Sequence, residues 1–370
     1  MRVGVVGCGY WGSRHARVLQ AVPGVERVVL IDTNTERRAA LVRLLSHPAT
    51  FASLAAALDD VDAVVVATPP STHVELALAA LAADKHVLVE KPMATSTADA
   101  RRLVDAAAGT SLTLMVGHTF EYNAAVRRLR GLVDERGLGD LHYIDSARLN
   151  LGLYQTDVNV IWDLAPHDIS IVNYLLRTPP STVQAWASCH AHARLEDVAF
   201  IRLLYPQLNL SANIHVSWLD PCKVRRVTVV GSQRMAVYND LADEQRIRVY
   251  DKGVVAGTGD QDLAGVPMSY RYGDITSPYI DFQEPLMVQD SHFLDCIRSG
   301  ARPLTDGHNG LAVVRILEAA NLSLRTGAPV TIQGLGGVPG AGDVSVAAGN
   351  GHLPVRELVE PDDHAGRRTL

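Results

Sequence analysis

Lys91 lies between Glu90 and Pro92 at the end of the apolar run His86-Val87-Leu88-Val89. An ammonium held at the end of a buried strand can stabilise the oxygen anion that develops when an alcohol is oxidised, and could share the hydroxyl proton. The ordinary alternative is a surface Lys paired with Glu90, since lysines are mostly exposed. Farther along, Asp163 and His167 open the apolar stretch Leu164-Ala165-Pro166-His167-Asp168. Pro166 is at home only in the first turn of a helix, so a helix is expected to start near Asp163 or Leu164 and to run to about Leu176. Asp163 and His167 then stand one turn apart on a shared face. A carboxylate beside an imidazole can fix its tautomer and support the imidazolium formed on taking a proton. An N-cap Asp and a satisfied buried His are the plain alternative. Together, Lys91, His167 and Asp163 are the acid–base half of an alcohol oxidation.

The other half is a hydride acceptor. Gly7-Cys8-Gly9-Tyr10-Trp11-Gly12 follows the run Val3-Gly4-Val5-Val6 and opens a helical pattern. Gly7 permits the tight turn, Gly9 lets backbone approach a pyrophosphate, and Gly12 allows close helix–strand packing. The helix N-terminus presents free N–H groups and a positive dipole end to phosphates. Asp32 ends the next apolar run, twenty residues past Gly12, where a carboxylate accepts both ribose hydroxyls and repels a 2′-phosphate. NAD is therefore expected over NADP. Arg37 and Arg38 are the counter-signal, because either could neutralise such a phosphate. Thr68-Pro69-Pro70 closes another apolar run, and its prolines stiffen a turn suited to lying against the cofactor. Gly7, Asp32, Thr68 and Glu90 all fall at the carboxyl ends of expected strands, where ligands of open α/β sheets bind. They converge on one crevice.

The elements that must position these residues follow from periodicity. Short apolar runs at 3–6, 28–31, 63–67, 86–89 and 112–116 alternate with helical patterns at about 12–21, 35–45, 72–83 and 96–108. Alternation of this kind builds right-handed βαβ units and a parallel sheet. Thr72 and Ser96 are expected N-caps, with Glu75 and Asp99 three residues on. After about residue 120 the texture changes. A helix at 121–136 gives way to runs at 141–150, 182–192, 198–205, 208–218, 224–231 and 234–239, as in an open and largely antiparallel sheet. Helical patterns at 286–299 and 307–326 follow, and the glycine-rich tail 334–370 is expected to be a mobile extension.

Composition bounds the possibilities. The chain has 370 residues, is 47% hydrophobic and 20% charged, and so is expected to hold two domains, at 1–120 and 121–333. A net charge of −6 without a basic run disfavours nucleic acid. Cys8, Cys189, Cys222 and Cys296 show no metal-ligand or disulfide spacing, so no metal is expected. Met1 leads straight into a strand and no run approaches a membrane span, which predicts a cytoplasmic protein with no membrane partner.

The glycine turn at 7–12, Glu90-Lys91-Pro92, and Asp163-x-x-x-His167-Asp168, in this order, resemble the Gfo/Idh/MocA family of NAD(P)-dependent sugar oxidoreductases over about residues 1–330. The resemblance implies an α/β protein with two parts: an N-terminal Rossmann dinucleotide-binding domain and a C-terminal α+β domain with an open, mainly antiparallel sheet. It implies a homodimer or homotetramer formed through that sheet's exposed face. It makes Lys91 and His167 the catalytic pair, with Asp163 orienting substrate or His167. Gly7, Gly9, Tyr10, Trp11, Gly12, Asp32, Thr68, Pro69, His73, Glu90, Lys91 and Pro92 would line NAD. Within the family, the phrases 116–123, 162–168 and 218–225 are similar to those of enzymes oxidising C3 of sugar nucleotides. The composition resembles antibiotic-cluster proteins, including oxidoreductases of aminohydroxybenzoate (ansamycin) pathways. That likeness implies UDP-glucose as substrate and a PLP aminotransferase as partner, with an inositol or free-sugar dehydrogenase, or a non-catalytic NAD-binding partner subunit, as alternatives. Lys223 and Arg225 share a strand face and could meet a diphosphate or pair with carboxylates across an oligomer interface. Trp186 and Trp218 could stack on a sugar, although packing is the commoner use of such residues.

Overall fold

The computed structural model describes residues 1–152, 154–155, 157–191, 193–255, 269–332 and 344–346. Its first part alternates β1 (Arg2–Val6), α1 (Tyr10–Leu19), β2 (Arg27–Ile31), α2 (Thr35–Val42), β3 (Ala49–Phe51), α3 (Leu54–Ala57), β4 (Ala63–Val66), α4 (His73–Ala82), β5 (His86–Val89), α5 (Thr97–Ala107) and β6 (Leu114–Val116). All strand pairs are parallel, in the order β3-β2-β1-β4-β5-β6. The order reverses between β1 and β4, and such a switch point opens a crevice at the strands' carboxyl ends.

Alternate residues of each strand serve opposite faces. Val6, Val64, Val66, Val87 and Val89 pack with Ala77, Leu81 and Leu103 of α4 and α5. Val3, Val5, Val65 and Leu88 pack with Ala16 and Leu19 of α1. Because both faces are covered, the strands read as continuous apolar runs. The exception is β3, a half-exposed Ala-Thr-Phe edge that no apolar run announces.

The second part comprises α6 (Ala124–Asp134), β7 (Leu141–Leu149), α7 (Val160–Leu176), β8 (Thr182–Ser188), β9 (Val198–Tyr205), β10 (Leu210–Ser217), β11 (Val224–Gly231), β12 (Met235–Asn239), β13 (Ile247–Val255), β14 (Ser269–Thr276), α8 (Pro285–Ser299), α9 (Gly307–Thr326), β15 (Val330–Ile332) and β16 (Val344–Val346). Its sheet runs β14-β13-β12-β11-β7-β10-β9-β8-β15-β16 and is antiparallel except where β10 lies parallel to β7. Helices α7 and α9 cover one face. The other is open, with Trp186, Phe200 and Tyr143 exposed on it.

Several sequence expectations are corrected. The strand expected at 182–192 stops at Ser188, because the N–H groups of His190 and Ala191 turn to the Asp197 carboxylate. β13 and β14 went unpredicted, since β14 is exposed along nearly its whole length and has no apolar stripe to read. The helix expected over 121–136 is a 3-10 turn (Thr119–Tyr122) and then α6, broken at Asn123, whose side chain accepts from Ala125 N–H. Ser96 caps α5 by accepting from Asp99 N–H, but Thr72 makes no cap and donates to Thr68 and the Pro69 carbonyl instead. The tail 334–370 lies outside the described residues, except for β16.

Helix α8 is the connection that the run of the chain does not show. It follows β14 of the second sheet in sequence, yet Leu286, Phe293 and Leu294 pack on α1 and close the second face of the first sheet. Burying a side chain the size of Phe293 contributes roughly 3 kcal/mol to that closure.

Candidate active site

The turn after β1 separates glycines the fold requires from one it does not. Gly7 sits at φ +93, and a Cβ there would fall 2.7 Å from the Ala67 carbonyl oxygen. A Cβ on Gly12 would lie 1.7 Å from the Gly7 carbonyl oxygen. Around Gly9 there is nothing within 4 Å, so packing makes no demand for glycine at that position. Gly9 is also the N-cap of α1 and offers it no side-chain cap, and the first turn carries no acidic residue. Open space, bare N–H groups and a positive helix end are what a pyrophosphate needs, so the residues present fit NAD. Asp32 is held at the lip, accepting from Cys8 N–H and Asn34 N–H at 2.7 Å each. Arg38 donates to the Asp32 carbonyl and to Thr35, so its guanidinium is engaged within the same turn. Tyr10 is exposed and stands edge-on to Trp11, with the Arg14 guanidinium 4.1 Å above its ring.

Two residues expected to line the cofactor support its wall from behind. His73 is buried, with Nδ1 2.9 Å from the Pro92 carbonyl and Nε2 2.8 Å from the Thr68 carbonyl. It ties the Thr68-Pro69 turn to the Lys91-Pro92 turn, whose peptide is cis. Glu90 is also buried and points inward. Its Oε1 meets His15 Nε2 at 3.0 Å, and Oε2 accepts from Lys91 N–H. Gly117 is needed because a Cβ there would crowd that carboxylate at 2.9 Å. A lone His in an amphipathic helix gave no sign of this use of His15, and nothing near Asp290 in sequence marks it as the third member.

The structure brings Lys91, Asp163 and His167 together, although not as the sequence implied. α7 begins at Val160, capped by Asn159 accepting from Trp162 N–H, so Pro166 lies inside the helix and not in its first turn. The missing N–H of Pro166 costs α7 a single interior bond. Lys91 Nζ donates to the Asp163 carbonyl at 2.8 Å and lies 3.7 Å from Oδ1. Trp218 Nε1 donates to Asp163 Oδ2 at 2.9 Å. Asp163 therefore holds Lys91 chiefly through its backbone carbonyl and Trp218 through its carboxylate, and among the described residues no hydrogen bond joins that carboxylate to His167. Trp218 is buried, lies tilted against the Tyr154 ring at 5.3 Å, and is a positioning group that its sequence context marks only as packing.

His167 is buried against Phe120, with ring centroids 5.0 Å apart, and its Nδ1 has no hydrogen-bond partner. Arg148 lies 4.5 Å over the same Phe120 ring and is fixed by a 2.6 Å ion pair to Asp168, itself bound by Ser146. Burial first, then the charges of Lys91, Arg148 and Arg225, hold His167 well below the usual imidazole range. It is a neutral base in a cationic pocket. His118 is likewise buried, with neither ring nitrogen partnered, and burial pushes it down to about 4 against the pull of Glu90. Arg225, expected to meet either a diphosphate or a partner subunit, pairs within the chain with Asp240 at 3.2 Å.

Comparison with known proteins gives the same picture. Residues 1–118 match the model described as "Oxidoreductase family, NAD-binding Rossmann fold", and residues 126–237 match "GFO/IDH/MocA C-terminal domain". A UDP-N-acetylglucosamine 3-dehydrogenase of Acidithiobacillus ferrooxidans is 30% identical over 338 residues, 90% of this chain and 99% of that protein. A myo-inositol 2-dehydrogenase of Thermotoga maritima is 23% identical over 346 residues, 90% of this chain and 99% of that one. Among solved structures, GenD2 from gentamicin A biosynthesis in complex with NAD superposes with a TM-score of 0.75 at 26% identity, covering 90% of this chain and 97% of the other. With a glycine turn built for a pyrophosphate and a lysine beside a neutral histidine, the chain belongs to the Gfo/Idh/MocA family and is an NAD-dependent oxidoreductase acting on CH–OH groups.

Proposed function

We propose that this chain oxidises C3 of a UDP-hexose, UDP-glucose foremost, to the 3-keto sugar in antibiotic or sugar-precursor biosynthesis. The observation that carries the chemistry is a buried, neutral His167 on which, after burial, the Lys91 ammonium acts most strongly. His167 accepts the hydroxyl proton. Lys91 stabilises the alkoxide and the nascent ketone, and Asp163, anchored by Trp218, keeps Lys91 in place. NAD, when bound, supplies the hydride acceptor. The choice of a sugar nucleotide is supported by the likeness to a UDP-N-acetylglucosamine 3-dehydrogenase along nearly that protein's whole length. Arg225, 38% exposed and close enough for its charge to reach His167, is a cation on the substrate side of the proposal, and Lys223, expected on the same strand face, is exposed just before β11 begins at Val224.

A second reading, oxidation of a cyclitol or free sugar, is favoured by one observation. Arg225 is already paired with Asp240, and a substrate without a diphosphate would leave that pair intact. In the first reading, a 3-keto sugar formed against an unfavourable equilibrium would be consumed by a PLP aminotransferase. The active form would be a homodimer or homotetramer joined through the open sheet face. The test is turnover of NAD with a panel of UDP-hexoses, myo-inositol and free hexoses, followed by NADH absorbance with a carbonyl trap to draw off ketone. Signal with a UDP-hexose at least tenfold above the free polyols supports the proposal, and the reverse order overturns it.

A further inference from the structure

Beneath Lys91 lies a buried group of charges with no direct part in the proton transfer. The His15 ring, from α1, is fully buried between two carboxylates. Nδ1 stands 2.9 and 3.1 Å from the two oxygens of Asp290, in α8, and Nε2 stands 3.0 Å from Oε1 of Glu90. With both carboxyls ionised, both ring nitrogens donate and the ring is an imidazolium; with the proton on Asp290, which burial pushes up, the ring is neutral and the net charge of the group is the same. The Glu90 carboxylate is bound in turn by the N–H of Lys91 at 3.1 Å. Among the described residues Asp290 has one other side-chain partner, Gln289 Nε2 at 3.4 Å, and Gln289 accepts from Thr119 at 2.7 Å. No cation besides His15 touches either carboxylate's oxygens among the described residues.

We propose that His15, Glu90 and Asp290 form a fixed charge device that positions Lys91 and sets the site's preference for oxidised over reduced nicotinamide. Two carboxylates and one imidazolium leave one net negative charge sealed behind the crevice wall. An oxidised nicotinamide bound in front of that wall would bring a positive charge toward the Lys91 ammonium, whereas the reduced ring would be neutral. The sealed charge offsets the repulsion in the oxidised complex and does little for the reduced one. Burial alone would push His15 down, yet Asp290 and Glu90 flanking it raise it to about 10, so the device stays charged through neutral pH. Its placement also explains why α8 returns to the first sheet, because Asp290 reaches His15 only through that packing. His15 and Asp290 are positioning residues, acting through Glu90.

The inference rests on the assignment of Lys91 to the nicotinamide end, but not on any sugar. Its readout is nucleotide binding without substrate, so it can fail while the UDP-hexose proposal stands, and the converse. The dissociation constants of NAD+ and NADH are measured by calorimetry for the wild type, Asp290→Asn and His15→Gln, with thermal unfolding confirming each fold. Asp290→Asn removes the net charge, and the ratio of the NAD+ constant to the NADH constant is expected to rise about tenfold, a shift of about 1.4 kcal/mol. His15→Gln removes the cation and leaves at least one carboxylate charged, so the ratio is expected to stay level or fall. Damaged packing would loosen both nucleotides in both variants and leave the ratios alike. If Asp290→Asn does not fold, Glu90→Gln removes the same charge and is read in its place. An unmoved ratio in the charge-removing variant, or a rise of equal size in His15→Gln, overturns the proposal.

Discussion

At the scale of single residues, the site works by controlling the charge around His167. An imidazole in water would be half protonated near neutral pH, but burial and three neighbouring cations keep this one neutral. Alcohol oxidation needs the unprotonated form, so the acid limb of kcat/KM set by His167 is expected well below pH 6.5. Arg225→Gln withdraws one of those cations, so the limb moves to higher pH; a pH profile whose limb stays put or moves down counts against this assignment. His167→Asn is expected to lower kcat by about 10²- to 10⁴-fold, the usual worth of a positioned base, which single-turnover measurement of hydride transfer checks. Lys91, Asp163 and His167 were legible because their residue types and spacing imply chemistry on a strand end and a helix face. The partners of Asp163 were not legible. Trp218 is 55 residues away in sequence, and only the packing of β10 beside α7 brings its indole to the carboxylate.

At the scale of elements, the β1–α1 turn distinguishes glycine used for folding from glycine used for binding. Gly9→Ala places a methyl in open space at an ordinary φ of −79, and the thermal midpoint is expected to stay within about 1 °C. NAD affinity should nevertheless fall about tenfold or more, because the methyl occupies the approach to the α1 N–H groups; unchanged calorimetric affinity would show that the pyrophosphate lies elsewhere. Gly12→Ala would drive a carbon into the Gly7 carbonyl and is expected to cost more than about 3 kcal/mol in denaturant unfolding. The turn was readable because the same spacing serves both purposes. The start of α7 was misread for a physical reason. A proline inside a helix removes one bond, and the buried face from Val160 to Leu175 more than compensates for it. β3 and β14 escaped notice because edge strands need no apolar stripe.

At the scale of the whole molecule, the ten-stranded sheet has one covered face and one open face on which Trp186 (58% exposed) and Phe200 (46%) lie together, with His215 stacked on Phe200 at 4.0 Å. An apolar face of this kind, proposed above to meet a second copy, yields a direct expectation. Glu at both Trp186 and Phe200 should shift the sedimentation mass toward the monomer with an unchanged circular dichroism spectrum, since charges buried at such an interface go unpaired. A wild type that sediments as a monomer would refute it. The amino-acid sequence by itself determined the parallel dinucleotide-binding sheet, NAD as cofactor, and the three groups proposed here to meet the substrate. Those features follow from local periodicity and from chemistry written in residue types. What only the tertiary structure decided is which groups hold them. His73 and Glu90 support the cofactor wall from behind, Asp163 serves Lys91 and Trp218, and α8 returns across the chain to place Asp290 beside His15. Buried polar groups must find partners wherever the fold brings one, and contacts spanning 275 residues leave no periodic trace.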